Sequence, residues 1–194
     1  MRKYVPAYEG NLRKHTLSVP RCISECSGIR VFGRRIKSLV FSTDVAIIKN
    51  INADAVIAVY PFTPQPSITQ AIIGISEVPV FCGVGGGLTN GVRGASMAAY
   101  VEHQGAYGVV CNSKIGLDTI RAIKEAVEIP GVYTVISEKM DIEPYLAAGV
   151  DFVNVSGAAR TPEIVAALRA KYPELPIIAT GGPTDESITA TIRA

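Results

Sequence analysis

Gly181 and Gly182 close the run Ile177-Ile178-Ala179-Thr180-Gly181-Gly182. A glycine pair there can offer bare backbone N–H groups to an anion, because no Cβ blocks the approach. Asp185 and Glu186 then open a helical pattern whose N-terminal dipole favours negative charge. Ser156 and Gly157 form a second short polar loop that can add donors. The long run from Gly83 to Gly91 offers Gly85, Gly86, Gly87 and Asn90 as a mobile loop or anion nest, with Arg93 supplying charge. Lys114 and Glu138, with Lys139 beside it, are the candidates for acid–base work. A desolvated lysine can form a Schiff base and a neighbouring carboxylate can shuttle protons. Asn154 joins Lys114 and Glu138 as a candidate catalytic residue from a neighbouring strand end. Cys111 also falls at a strand end, where a small buried thiol is the simpler reading.

Other chemistries lack their residues. The two histidines, His15 and His103, have no Asp/His/Cys cluster around them, and Cys22 and Cys26 have no further ligands nearby, so no metal site is expected. No Gly-Lys-Ser/Thr follows the glycine run, which excludes a P-loop, and no nucleophile elbow is present.

The elements that must position these residues are short apolar runs alternating with amphipathic helices. The expected strands are Ser38–Ser42, Ala55–Tyr60, Val80–Val84, Gly108–Cys111, Val132–Ile136, Phe152–Val155 and Ile177–Thr180. Each is apolar throughout, as parallel strands covered on both faces must be. Leu117, Ile120, Ile123 and Val127 mark one helix face, and Thr161-Pro162 reads as the cap and first position of another. Strand leads of the type Glu-Val-Pro (77–79, 128–130, 174–176) alternate with leads such as Ala53-Asp54-Ala55 and Gly149-Val150-Asp151. A barrel fills its interior in layers from odd and even strands, so this two-step rhythm favours a TIM (β/α)8-type barrel over an open sheet. Seven strands are read and an eighth βα unit is not; the last helix, from Asp185, reaches Ala194 without a Gly or Asn terminator. The expectation is one domain over 1–194, cut short after Ala194, with 1–37 an extension covering the barrel floor.

Composition agrees with that picture. The 194 residues are 48% hydrophobic and 19% charged, which suits one well-buried core. No apolar run approaches the ~18 residues of a membrane span. No signal core follows Met1, and four cysteines without framework spacing read as reduced thiols, so a cytoplasmic protein is expected. Residues 1–37 carry nine Lys/Arg against two acids, whereas the remainder carries ten against fifteen. Such an asymmetry marks either a solvated face or a surface for an anionic partner.

The run Ile177 to Gly182 with its following capped helix resembles the phosphate-binding (β/α)8 barrels of the ribulose-phosphate-binding type and their flavin-phosphate relatives. The resemblance implies a phosphorylated small-molecule ligand held at Gly181 and Gly182, a lyase- or isomerase-type activity, and no obligatory cofactor, FMN being the alternative. The aldolases of this group place their lysine where this chain has Asn154. Gly108-Val109-Val110, Ser113-Lys114, Gly157 and Pro176 to Gly182 are also similar to the glycerol-3-phosphate-responsive antiterminators. That likeness implies a regulator sensing a phosphorylated metabolite, with RNA as partner of the basic N-terminal segment. A homo-oligomer is the further partner considered, because a partial barrel leaves strand edges open.

Overall fold

The structure, a computed structural model, describes residues 4–8, 10 and 17–194. Nine strands run in chain order as β1 (Ile29–Val31), β2 (Arg34–Ile36), β3 (Leu39–Phe41), β4 (Ala55–Ala58), β5 (Val80–Gly85), β6 (Gly108–Cys111), β7 (Gly131–Val135), β8 (Phe152–Val155) and β9 (Ile177–Ala179). The helices are α1 (Val45–Asn50), α2 (Pro66–Ile75), α3 (Val92–His103), α4 (Leu117–Ala126), α5 (Glu143–Ala147), α6 (Thr161–Lys171) and α7 (Asp185–Arg193), one after each strand from β3 onward. Strands β3 to β9 form one sheet in strictly sequential order, and all six neighbouring pairs are parallel.

That order settles the architecture. Each crossover advances by one strand in the same direction, and right-handed crossovers then place every helix on one face of the sheet. The other face must curl on itself to be buried. Two clusters mark the two faces. Val56, Cys82, Val109, Tyr133 and Val155 pack outward against Ile48, Ile72, Met97, Ile123 and Ile164 of the helices. Ala55, Ile57, Phe81, Val110, Val132 and Ile178 form the inner cluster, which joins β4 to β9 across the interior. The inner wall alternates large with small: a Cβ on Gly108 would lie 2.5 Å from the Phe81 ring. The fold is a parallel α/β barrel of the TIM type lacking one βα unit among the described residues. Among the described residues, strand β3 at one edge and β9 at the other have no partner on their outer sides.

The alternating leads have a physical reason. The carboxylate of Asp54 accepts the N–H groups of Lys37 and Ser38 at 2.9 and 3.0 Å, tying the entry of β4 to that of β3. Asp151 does the same two repeats later, accepting the Gly131 N–H at 2.8 Å and the Lys124 ammonium at 2.8 Å. In the intervening unit Tyr107 holds that place and packs edge-on against Phe32, ring centroids 5.5 Å apart.

Phe32 belongs to an antiparallel hairpin, β1–β2, that the sequence reading did not anticipate. Phe32 and Gly33 both adopt positive φ, 44° and 79°, giving the primed turn that matches strand twist. Val31 and Ile36 of this hairpin join the inner cluster, on the side where the strands begin. Before it, residues Arg21–Glu25 form a 3₁₀ turn that follows Pro20. Helix α6 also starts differently from expectation: Thr161 is already helical, and its hydroxyl accepts the Gly157 N–H at 3.1 Å instead of capping the helix.

Candidate functional site

The strand ends open onto two cavities. A cleft of about 920 Å³ occupies the gap between β3 and β9; Phe41, Asn154, Ile178, Thr180, Gly181 and Gly182 are among its lining residues. A second cavity of about 340 Å³ lies over β4 to β7, lined by Tyr60, Thr89, Asn112, Lys114, Thr134 and the glycines 85–87. The two adjoin. Thr134 of β7 is in register with Asn154 of β8, and both share the inward face with Val132 and Phe152, two residues earlier on each strand. Adjacent strands stand ~4.8 Å apart, so the polar atoms of this pair bridge the two spaces.

Asn154 is 3% exposed, and its carboxamide has no hydrogen-bond partner among the described residues. Tyr172 Oη is the one side-chain polar atom among the described residues that is fully buried without a partner, so the Asn154 amide is not sealed off: it opens onto the cleft, where a ligand can meet it. The N–H groups of Gly181 and Gly182 are likewise without partners among the described residues, whereas Thr180 donates its own to Val155 at 2.9 Å. The glycines have a second reason to be there: a Cβ on Gly182 would lie 2.0 Å from Ser187 Oγ, and one on Gly181 3.0 Å from Ile188 Cγ1. Close approach of the loop to α7 therefore demands Gly182 and crowds any side chain at 181.

The start of α7 is largely satisfied from within. The Thr184 hydroxyl accepts the Ser187 N–H at 3.3 Å, and the Ser187 hydroxyl accepts the Thr184 N–H at 3.1 Å. Glu186 accepts its own backbone N–H and the Thr184 hydroxyl, which lowers its carboxyl pKa below the ordinary value. An anion near this helix therefore meets the two glycine N–H groups and Asn154 more readily than the helix terminus itself. Ser156 and Gly157 contribute less than their type suggests, because their N–H groups are taken by Val135 at 2.9 Å and the Thr161 hydroxyl at 3.1 Å. Only the exposed Ser156 hydroxyl remains available.

The other candidates separate. Lys114 lines the second cavity and forms no ion pair among the described residues. Glu138 lines neither cavity; it pairs with Arg160, which also reaches Glu163 at 3.4 Å. The Arg160 hydrogen bond lowers the Glu138 pKa, so this carboxylate stays ionised and cannot serve as a general acid at neutral pH. Lys114, Glu138 and Asn154 thus occupy three distinct places on one rim rather than one constellation. Lys139 is exposed. Cys111 and Cys82 point into the helix layer, where burial pushes each thiol up to about 12.

The glycine run is a defined turn. Gly86 and Thr89 exchange backbone hydrogen bonds of 3.0 and 3.3 Å, Asn90 donates to the Gly87 carbonyl, and Gly91 donates to the Thr119 hydroxyl at 2.8 Å. Gly85 accepts the Asn112 N–H at 3.1 Å, which ties the turn to the β6 loop. A Cβ on Gly86, at φ 130°, would be strained and would displace the Asn112 carboxamide. Arg93 is exposed in the first turn of α3. Sequence reasoning missed Thr134. Its signal was a polar residue at the inward phase of an otherwise apolar strand.

Among the described residues no group of three His, Cys, Asp or Glu is placed to hold a metal ion, and no helix is long and apolar enough to cross a membrane.

No protein-family model matches the chain, and neither does any curated protein sequence. Solved structures do match in shape. A proposed phosphonomutase from Burkholderia cenocepacia J2315 superposes with a TM-score of 0.62 at 18% identity, covering 84% of each chain. A phosphonopyruvate hydrolase in complex with oxalate and Mg²⁺ gives 0.64 at 14% identity, over 81% of this chain and 72% of that one. A proposed dihydrodipicolinate synthetase from Pseudomonas aeruginosa gives 0.52 at 16% identity, over 66% of this chain; the match spans about half (52%) of that protein's length. At these identities the similarity is one of fold: the chain shares the parallel α/β barrel of these proteins.

Proposed function

We propose that this chain binds a small phosphorylated metabolite at the barrel mouth and acts on it as a lyase- or isomerase-type enzyme. The observation that carries the reading is the Asn154 carboxamide, which opens without a protein partner onto the same cleft as the two unbonded N–H groups of Gly181 and Gly182. Together they offer an anion three neutral donors without a charge to desolvate. The phosphate end would rest on Gly181 and Gly182, with the Ser156–Gly157 loop beside it. The reacting end would extend past Asn154 and Thr134 toward Lys114. The mouth of such a barrel is where reacting groups stand, and phosphate binding energy would orient the substrate there. Glu138 would act through Arg160, as a charge on the rim. The segment from Gly85 to Gly87 with Asn90 and Arg93 would cover the bound ligand. Support comes from the phosphonomutase and phosphonopyruvate hydrolase of like fold.

On this reading the chain is one cytoplasmic domain, with residues 1–37 closing the barrel floor, and a homo-oligomer would shield the open edges of β3 and β9. No cofactor is required. FMN would use the same glycine N–H groups for its phosphate, and a yellow colour on purification would move the assignment to a flavin enzyme. One observation favours a regulator instead. Arg30 stands directly opposite Arg35 on the β1–β2 hairpin, with Arg34 beside them, and none of the three forms an ion pair among the described residues. RNA phosphates would relieve that repulsion, and binding with a steep salt slope would reveal it.

The test is calorimetric titration of glucitol 6-phosphate against the wild type and Gly181→Val, with circular dichroism to confirm that α7 survives the contact with Ile188. The variant should bind at least tenfold more weakly. Equal affinity in both proteins removes the phosphate argument.

A further inference from the structure

The second cavity has a charge balance of its own. Lys114 is the one ionisable cation or acid among its lining residues apart from the hydroxyl of Tyr60. No carboxylate among the described residues lies within ion-pair distance of it. Thr89 is 7% exposed, and its hydroxyl has no hydrogen-bond partner among the described residues; Thr134 is half-buried with its hydroxyl equally free. The opposite wall is backbone, because Gly83, Gly85, Gly86 and Gly87 bring no side chains. An exposed cation with no ion-pair partner, set beside two hydroxyls that face the cavity without protein partners, is the chemistry of a site for an acidic group.

The segment that carries this lysine is held from three directions. The Lys114 N–H donates to Asn112 Oδ1 at 2.9 Å. Tyr133 donates its hydroxyl to the Ser113 carbonyl at 3.2 Å, and Tyr145 donates to the Ile115 carbonyl at 3.0 Å. The two tyrosine rings stack on each other, 4.0 Å between centroids and 12° apart in plane. The carbonyls on either side of Lys114 are thus fixed by one rigid aromatic pair, reaching from β7 and α5 into the β6 loop. Ordering a surface loop this thoroughly costs conformational entropy, and it fixes the backbone from which the exposed Lys114 side chain extends beside the cavity.

We propose that the cavity under Lys114 is a second acid-recognising subsite, so that the ligand is a small metabolite bearing a carboxylate at the end opposite its phosphate. This rests on the phosphate reading above and specifies its substrate class. Spacing supports it. Lys114 follows β6 and Gly181 follows β9, three strand steps apart, an arc of ~14 Å at ~4.8 Å per step and less along the chord. An open-chain six-carbon backbone with an acid at each end is of that length, and it would run over the register pair Thr134 and Asn154. Asn112 and Thr89 would hydrogen-bond the carboxylate while Lys114 neutralises it, and a sugar phosphate without the carboxylate would leave this subsite empty.

The experiment compares 6-phosphogluconate with glucitol 6-phosphate, which differ only in a carboxylate against a hydroxymethyl group. Calorimetry of the wild-type chain should show at least tenfold tighter binding of 6-phosphogluconate. Lys114→Met should remove that preference and leave glucitol 6-phosphate within twofold, and Lys114→Arg should restore part of it. Thr89→Val, a nearly isosteric change, should reduce the preference three- to tenfold and serves if the Met variant is unstable. A preference that survives both Lys114→Met and Thr89→Val overturns the proposal, as does equal wild-type affinity for the two probes, or no binding of either. Gly181→Val separates the two readings. If it weakens both probes alike, the phosphate site holds; if it weakens neither while Lys114→Met abolishes the preference, the phosphate site fails and the carboxylate subsite stands.

Discussion

Asn154 sits where a strand in a packed barrel would ordinarily place an apolar side chain, and its carboxamide meets the cleft without a partner among the described residues. An amide that faces the cleft and bonds nothing else in the described fold can be replaced at little cost, so Asn154→Val should change stability by no more than about 1 kcal/mol while weakening glucitol 6-phosphate at least tenfold. A variant that loses more stability than that would show that the amide has a structural partner instead. The Glu138–Arg160 pair makes a different prediction. The folded-state pKa of Glu138 lies below its ordinary 4.5, so its stabilising effect is present at neutral pH and lost as pH falls through that lowered value. Wild type and Glu138→Gln should differ in thermal stability at pH 7 and converge in strong acid. Both groups are substantially exposed to solvent, so the difference should be small and should shrink with added salt.

At the scale of elements, the glycine turn after β5 shows how much one position can depend on tertiary contact. Gly87, at φ 59°, has nothing within 4 Å of an added Cβ, so Gly87→Ala should cost about 1 kcal/mol of backbone strain. Gly86→Ala should cost two or three times as much, since its Cβ would occupy the place of the Asn112 carboxamide. Equal losses in chemical denaturation would contradict the tie between the β5 turn and the β6 loop. The strands themselves yield a thiol prediction. Cys82 and Cys111 face the helices and are about 12 in pKa, whereas Cys22 and Cys26 are half-buried near the N-terminal turn. Native protein at pH 8 should take up alkylating reagent at no more than two of its four cysteines, and at all four in denaturant, by mass spectrometry. The β1–β2 hairpin escaped the sequence because its turn is Phe32-Gly33 rather than Asn-Gly or Asp-Gly. Its strands are three residues each, too short to show alternation.

For the whole molecule, the outer edges of β3 and β9, unpaired among the described residues, bear on association. Unpaired backbone groups on both edges are a template for further strands. The chain should self-associate with rising concentration in light scattering, and Val40→Pro on the β3 edge should reduce the effect. A strictly monomeric particle at all concentrations would show that the edges are protected. Much of this architecture was legible in residues alone. Apolar runs without alternation implied parallel strands covered on both faces, and the observed strands fall within a residue or two of the expected ones. The alternating leads implied a barrel, because Asp54 and Asp151 occupy equivalent places in a repeat and each ties the entries of two neighbouring strands. What the sequence could not provide was partnership. Lys114, Glu138 and Asn154 look equivalent as strand-end polar residues, yet one lines a cavity without an ion-pair partner, one is paired with Arg160, and one opens onto the cleft from the barrel interior. Ser156 and Gly157 look like donors, yet their N–H groups are spent on Val135 and Thr161. Periodicity reports which face of an element is buried, since that depends on neighbours in sequence. Whether a polar group is satisfied depends on atoms many residues away, and only the closed sheet brings those within hydrogen-bonding distance.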